Sequence, residues 1–242
     1  MKSYKKTGRN RLLPILLLLA ASLILSACEE DLTAEQALAL APNPANTSVL
    51  VLIDSAAGRT AAAGFLPAFG FPVVDTWDTS TATPTVLDLL NYDAVLFSSN
   101  TFELAPIAVG DAVADYIDAG GGVVTTTPSH GPAFGAAGRI TTSGQSPFNF
   151  DATADVGAST LGAVLLPGHF IMTNVLTVSA SGRDDPTLAP GGILIADWAD
   201  GFPMAAVNTS GTVAGITLWL DTLNGGNFDQ LIANALAFTA FN

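Results

Sequence analysis

The sequence predicts an α/β fold: a three-layer αβα sandwich around a mainly parallel sheet, with extra antiparallel strands in the carboxyl-terminal half. Continuous apolar runs such as residues 48–55 (SVLVLIDS) are typical of strands buried on both faces of a sheet. Helical patterns separate these runs in the first half, which favours right-handed βαβ crossovers. Short Gly, Asp and Asn turns separate the later runs, which favours antiparallel pairing.

Strands and helices alternate in the first half of the folded region. The clearest helix begins near Pro106, which suits a first helical turn, and ends at Gly120 to Gly122. Its apolar stripe comprises Ile107, Val113, Tyr116 and Ile117. The predicted strands are 48–55, 71–77, 92–100 and 122–129, and the predicted helical segments are 59–70, 83–92 and 105–122.

The second half begins with a weak pattern and ends with a strong one. Residues 139–170 are rich in Gly, Ser, Thr and Pro, and we predict only a short helix near 151–165. The closing segment 227–242 places five apolar residues on one helical face, namely Phe228, Leu231, Ile232, Ala235 and Leu236. The strands predicted between these segments are 175–181, 192–198, 202–208 and 212–220.

Charge is distributed very unevenly along the chain. Five of the eight Lys and Arg residues precede Cys28 and all 21 Asp and Glu residues follow it, so residues 28–242 carry three arginines, no lysine and a net charge of −18. Such a surface repels nucleic acid, and we therefore expect no nucleic-acid partner. An acidic domain without lysine or a second cysteine suits an extracytoplasmic, even saline, setting.

The only cysteine, Cys28, follows a basic stretch (2–11) and a 14-residue apolar run (12–25). This run is shorter than the roughly 20 residues that span a bilayer, and a small residue precedes the cysteine, so the segment is typical of a secretory signal. Residues 25–28 (LSAC) resemble the lipobox of bacterial lipoproteins. That resemblance implies diacylglycerol transfer to the Cys28 sulfur, cleavage before it and acylation, for example with palmitate, of the new amino group. The alternative is an ordinary cleaved signal with an incidental cysteine.

These features divide the chain into three parts. Residues 1–27 are the predicted lipoprotein signal peptide, and residues 28–47 are a predicted lipid anchor and flexible tether, since the segment is acidic at its start and contains Pro42 and Pro44. A first helix packed on the domain is the alternative for this segment. Residues 48–242 form the predicted α/β domain, which is large enough for one hydrophobic core.

Seven segments of the domain follow one another in an order that is characteristic of a known family: VLVLIDS, LLNYDAVLFSSN, VADYIDAGGGVV, GHFIMTNV, ILIADWADGFPMAAV, GITLWL and IANALAF. In this order and style the chain resembles the class I glutamine amidotransferase-like superfamily, in particular its trehalose-utilisation-type members. The resemblance implies a flavodoxin-like sandwich over 48–242.

The sequence departs from this family at the catalytic nucleophile. Glutaminase members carry a Gly-x-Cys-x-Gly elbow, whereas the corresponding segment here, GGVVTTTPSHG, contains Ser129 and His130 but no cysteine. Without a thiol the amide-hydrolysing mechanism cannot proceed in its usual form. Ser129 could replace it only with a base within hydrogen-bond reach, and adjacent side chains on an extended chain point apart.

Polar residues follow the predicted parallel strands, where ligands collect in doubly wound sheets. We therefore name a set of ligand-binding candidates, of which His130, Ser129 and Asp54 are also the catalytic candidates. The alternative for His130 is a solvated loop histidine, and for His169 a structural cap of its loop. No HxH, HExxH or CxxC spacing occurs, so we predict no metal or cofactor. The ligand-binding candidates are Asp54, Ser55, Asn100, Thr127, His130 and His169.

Two functions are consistent with these features. The first is a lipid-anchored extracytoplasmic protein of the bacterial envelope whose amidotransferase-like domain is not catalytic. Its partners would be the bilayer, through acylated Cys28, and a carbohydrate or another envelope protein. The second is a divergent hydrolase or sugar-modifying enzyme that uses the rim from Thr127 to His130.

Substituting Cys28→Ser should abolish lipidation, because a thiolate is the side chain most readily alkylated. We expect mass spectrometry of the wild-type chain made in bacteria to show a diacylglycerol-modified Cys28 at the amino terminus, and the variant to lack this modification. An uncleaved, unmodified amino terminus on the wild-type protein would contradict the prediction.

Overall fold

The structure is a computed structural model that describes residues 41–100, 103–132, 135–153 and 155–242. Cys28, the predicted signal peptide 1–27 and the tether up to residue 40 lie outside these residues. Residues 42–242 form one compact unit. A short 3₁₀ turn, Pro44–Asn46, lies against the last helix of the chain. Among the described residues, no helix is both long and apolar enough to cross a bilayer.

One mixed sheet of ten strands organises the described residues, and four α-helices accompany it. The strands are β1 (Ser48–Ile53), β2 (Val73–Asp78), β3 (Ala94–Ser98), β4 (Gly122–Thr127), β5 (Ser159–Val164), β6 (Val178–Ala180), β7 (Ile193–Trp198), β8 (Pro203–Val207), β9 (Val213–Trp219) and β10 (Asn224–Gly226). The helices are α1 (Ala56–Phe65), α2 (Val86–Leu89), α3 (Pro106–Asp118) and α4 (Phe228–Phe241). The order across the sheet is β10-β6-β5-β7-β8-β9-β4-β3-β1-β2.

The parallel part of the sheet comprises β2, β1, β3, β4 and β9. Alternate residues of β1 enter two separate cores, as the continuous apolar run predicts. Val49 and Val51 pack in a cluster that includes residues of α1 and α4, whereas Leu50 and Leu52 pack in a cluster that includes residues of α2 and α3. Helices therefore cover both faces, and the predicted three-layer sandwich is confirmed.

The carboxyl-terminal strands pair antiparallel, as their short connections predict. β7 pairs with β8 and β8 with β9, and β9 then pairs parallel to β4, so it joins the two parts of the sheet. Beyond β7, the sheet continues through β5 and β6 to the three-residue edge strand β10.

Three details of the sequence prediction are wrong. The helix predicted near 151–165 is absent; instead, residues 159–164 form β5, because pairing with β7 outweighs a weak local helical preference. The strand β10 is not among the predicted strands, since the sequence Asn-Gly-Gly is typical of a turn. Ile107, assigned to the apolar stripe of α3, is 64% exposed, whereas Val113, Tyr116 and Ile117 are buried.

The substitution Gly110→Ala should destabilise the domain. Gly110 lies in α3 where a Cβ atom would collide with the carbonyl oxygen of Ala137 and lie 2.9 Å from Ile140 Cγ2. We expect the free energy of unfolding, measured by denaturant titration, to fall by about 1–3 kcal/mol. Gly64→Ala in α1 is the matched control, since no atom lies within 4 Å of its Cβ position. This control should be neutral or stabilise by up to about 1 kcal/mol, and an equal loss in both variants would contradict the packing argument.

Candidate functional site

A cavity of about 410 Å³ opens where the parallel strands end. Thr127 is the last residue of β4 and Trp219 the last of β9, while Asn100 follows β3 by two residues. This is the edge of an open α/β sheet at which ligands bind. The described residues that line the cavity are Asn100, Thr127, Pro128, Thr153, Asp155, Arg183, Asp184 and Trp219.

His130 lies beneath this cavity and is completely buried. Its Nδ1 lies 3.0 Å from Asp184 Oδ2, so Nδ1–H donates to the carboxylate, and its Nε2 lies 3.1 Å from the Thr125 hydroxyl. Phe148 packs edge-on against the imidazole ring. Both ring nitrogens are engaged inside the protein, so the interpretation of His130 as a solvated loop residue is wrong. A ligand in the cavity cannot use it as a base without rearrangement of this network.

Ser129 is also completely buried. Its Oγ accepts a hydrogen bond of 2.9 Å from the Ser99 backbone N–H, while the Ser98 hydroxyl donates 3.0 Å to the carbonyl oxygen of Thr127. These two bonds tie the end of β3 to the end of β4. The Ser129 hydroxyl therefore fastens the rim and does not face the cavity as a nucleophile.

Arg183 and Asp184 complete the site, and sequence reasoning assigns neither to it. Arg183 is fully buried; it donates 2.7 Å to the Gly157 carbonyl and 2.6 Å to Asp200 Oδ2, and its guanidinium lies 5.1 Å from the centre of the Trp198 ring. The Arg183 guanidinium lowers the pKa of the Asp200 carboxyl. The sequence offers one signal for Arg183: the domain has only three arginines, and a fully buried arginine is almost always paired with a carboxylate.

Asp184 anchors the segment 183–184 to the end of β4. The residue is 1% exposed, and its carboxylate accepts 2.5 Å from the Thr127 hydroxyl in addition to the bond from His130. The sequence Asp-Asp-Pro at 184–186 is typical of a polar loop. That interpretation is wrong for Asp184, since both of its oxygens are used inside the protein.

The predicted rim residues separate into three positions. Asn100 and Thr127 line the cavity. Asp54 lies behind Asn100 and accepts 2.9 Å from its backbone N–H. Ser55 instead caps α1, where its Oγ accepts 3.3 Å from the Gly58 N–H.

His169 does not line the cavity. Its Nδ1 accepts from the Ile171 N–H at 3.3 Å, so it caps the 3₁₀ turn Phe170–Met172, and its ring lies 4.7 Å from that of Phe238 in α4. Burial lowers its pKa. The structure places this residue in the role of a loop cap, the alternative to ligand binding.

Glu103 is a buried carboxyl that the sequence prediction overlooks. It is 9% exposed, and neither of its oxygens has a hydrogen-bond partner. Burial raises the pKa of Glu103 to about 8, and the charge of Asp54 adds to this effect. The nearby Ser99 hydroxyl lowers the pKa of Glu103, although the Ser99 hydroxyl and the Glu103 carboxyl do not reach hydrogen-bonding geometry.

No protein-family model matches the chain, and no curated protein sequence matches it. Solved structures share its fold. The cytoplasmic protein STM3548 of Salmonella typhimurium is 14% identical with a TM-score of 0.59, over 79% of this chain and 98% of that protein. A protein of Bacteroides uniformis described as ThuA-like is 14% identical with a TM-score of 0.51, over 78% and 89%. The cytoplasmic protein STM1381 of Salmonella typhimurium LT2 is 14% identical with a TM-score of 0.59, over 78% and 98%.

Identities this low establish a common fold and no common activity. The expected α/β sandwich fold is confirmed.

The substitution Glu103→Gln should remove a pH-dependent loss of stability. The pKa of Glu103 is 4.5 ordinarily and about 8 in the fold, so the folded state binds more protons in this interval and the free energy of unfolding falls as the pH rises through it. In buffer with a metal chelator, we expect the variant to exceed wild type most at about pH 8 and above, by up to several kcal/mol, since one pKa unit is worth about 1.4 kcal/mol. Stability curves that stay parallel from pH 5 to 9 would rule this out.

Proposed function

We propose that this chain is a lipid-anchored, extracytoplasmic protein of the bacterial envelope whose domain binds a neutral carbohydrate in the cavity at the end of the sheet. The observation that carries the proposal is the composition of the cavity. Trp219 contributes an aromatic side chain to the lining, and Asn100, Thr153 and Asp155 contribute amide, hydroxyl and carboxylate groups. A flat apolar ring beside polar groups suits a sugar ring, which has an apolar face and hydroxyls at its edge.

The electrostatics of the cavity favour an uncharged ligand. Asp155 and Asp184 bring negative charge to its wall, whereas the Arg183 guanidinium is committed to Asp200 and Gly157. The net charge of −18 on residues 28–242 has the same sign. Phosphorylated sugars and uronic acids would therefore be repelled, and neutral glycans would not.

The burial of the candidate catalytic residues supports ligand binding without turnover. His130 and Ser129 are completely buried and hydrogen-bonded inside the protein. A nucleophile and its base must reach the reacting atom and each other. In this arrangement both residues maintain the shape of the cavity.

The lipid anchor gives this binding a location. Acylation at Cys28 would hold the domain at the membrane through the tether 28–47, and several acyl chains suffice for stable anchoring. The resulting function is retention of a glycan near the membrane surface.

The substitution Trp219→Ala should weaken glycan binding by about tenfold, because stacking on the indole is lost. Full-length protein in detergent micelles is screened against neutral and anionic oligosaccharides on a glycan array, and affinities of the hits are measured by titration calorimetry. Trp77→Ala is the matched control: Trp77 lies on β2 and does not line the cavity. Its affinity should equal that of wild type.

Two results would overturn the proposal. One is binding that is equally sensitive to both tryptophan substitutions or that prefers anionic glycans. The other is turnover of a glycan, ester or amide substrate that disappears in His130→Ala, which would favour the divergent hydrolase.

A further inference from the structure

A second polar cluster occupies the ends of three adjacent strands beside the carbohydrate cavity. In the sheet register, Ile53 of β1 pairs with Asp78 of β2 and with Ser98 of β3. The next residues along the chain, Asp54, Thr79 and Ser99, therefore follow three adjacent strand ends. We refer to these three residues together with Glu103 as the rim cluster.

Glu103 reaches the cluster because its loop folds back over the strand ends. The backbone N–H of Leu104, the next residue, donates 2.9 Å to the carbonyl oxygen of Thr79. The charge of Asp54 raises the pKa of the Glu103 carboxyl, and the hydroxyl of Ser99 lowers it, so both groups lie near this carboxyl. The Asp54 carboxylate and the Ser99 hydroxyl thus lie close enough to Glu103 to act on its carboxyl, and the Thr79 backbone lies beside the same loop.

Four oxygen atoms of the rim cluster are buried without a hydrogen-bond partner. They are both carboxylate oxygens of Glu103, the Ser99 hydroxyl and the Thr79 hydroxyl. Thr79 and Ser99 are completely buried, and Glu103 is 9% exposed. Buried polar atoms are nearly always paired, so several orphaned oxygens in one place indicate an absent ion or water.

The arginines of the described residues are engaged away from Glu103. Residues 41–242 contain no lysine and three arginines. Arg59 binds Asp78 and the Ile53 carbonyl, Arg139 binds Asp115 and Asp118, and Arg183 binds Asp200. A buried carboxylate without a counter-charge is costly, and an external cation is the remaining source of positive charge for Glu103.

We propose that the rim cluster binds one Ca²⁺ ion, with the Glu103 and Asp54 carboxylates and the Ser99 and Thr79 hydroxyls as its protein ligands. All the donors are oxygen atoms, which hard cations prefer. Among the described residues, no group of three or more His, Cys, Asp or Glu residues could hold a metal ion, so the two hydroxyls have to complete the protein ligands of this site. Ca²⁺ accepts mixed carboxylate and neutral oxygens in irregular geometry, whereas Mg²⁺ demands a near-ideal octahedron.

The site is separate from the carbohydrate cavity but shares a wall with it. Asp54 accepts the backbone N–H of Asn100, and Asn100 lines the cavity. Cation binding does not require that the cavity bind a glycan, so the two proposals can fail independently.

Titration calorimetry on the full chain in detergent micelles, after removal of metals with a chelator, tests the site with CaCl₂ as the titrant. We expect one Ca²⁺ ion per chain at pH 8, at least tenfold weaker binding in Glu103→Gln, and a weaker response to MgCl₂. A thermal melt should show that saturating Ca²⁺ raises the Tm of wild type and leaves the Tm of Glu103→Gln unchanged. Asp118→Asn removes an exposed carboxylate at the end of α3 and is the matched control, which should bind as wild type does.

Identical titrations of wild type and Glu103→Gln would overturn the proposal, because the ions would then be held diffusely by the acidic surface. Tighter binding of Mg²⁺ than of Ca²⁺ would overturn the choice of ion. If Glu103→Gln does not fold, Ser99→Ala is the second variant; weaker Ca²⁺ binding in it supports the site, and a wild-type affinity overturns the proposal.

Discussion

The carboxylate of Asp184 is the interaction on which the ligand cavity depends. It accepts the Thr127 hydroxyl at 2.5 Å and lies 3.0 Å from His130 Nδ1, and the residue is 1% exposed. Through these bonds the segment 183–184, which precedes β7, is fixed to the end of β4 in the centre of the sheet. Removing one partner would leave the others buried and unpaired, and such breaks cost far more than the bonds contribute. The His-Asp pair therefore serves the architecture of the rim.

The same geometry shows how the crevice at the strand ends is kept although no cysteine follows β4. In a doubly wound sheet, the strand ends form a crevice whatever their side chains are. Here the residues after β4 are turned inward: Ser129 bonds to the Ser99 backbone and His130 bonds to Thr125. Groups that could face a substrate instead satisfy buried backbone and side-chain partners. The crevice is still present, and the residues that line it determine which ligands it can bind.

Sequence reasoning predicts the layers of the fold better than it predicts the site. Continuous apolar runs such as residues 48–53 identify buried strands because both faces of the sheet are covered. Such runs do not reveal which distant loops meet, so the pairing of His130 with Asp184, 54 residues later, could not be inferred. Local pattern also misses β5, whose strand state depends on its neighbour β7. Asn100 and Thr127 are identified because the topological rule for strand ends needs no knowledge of side-chain packing.

The small number of positively charged residues affects both the carbohydrate cavity and the rim cluster. Each arginine of residues 41–242 is committed to an aspartate, and Arg183 is buried to hold the loop behind the cavity. His130, the buried imidazole of the rim, is committed to Asp184. Asp54 accepts the Asn100 backbone N–H, and its charge acts on the buried Glu103 carboxyl; the Thr79 and Ser99 hydroxyls are buried without partners. Because all three arginines are bonded to aspartates, the proposed Ca²⁺ ion is the counter-charge for the Glu103 and Asp54 carboxylates. The free energy of unfolding should therefore depend on the Ca²⁺ concentration of the surroundings.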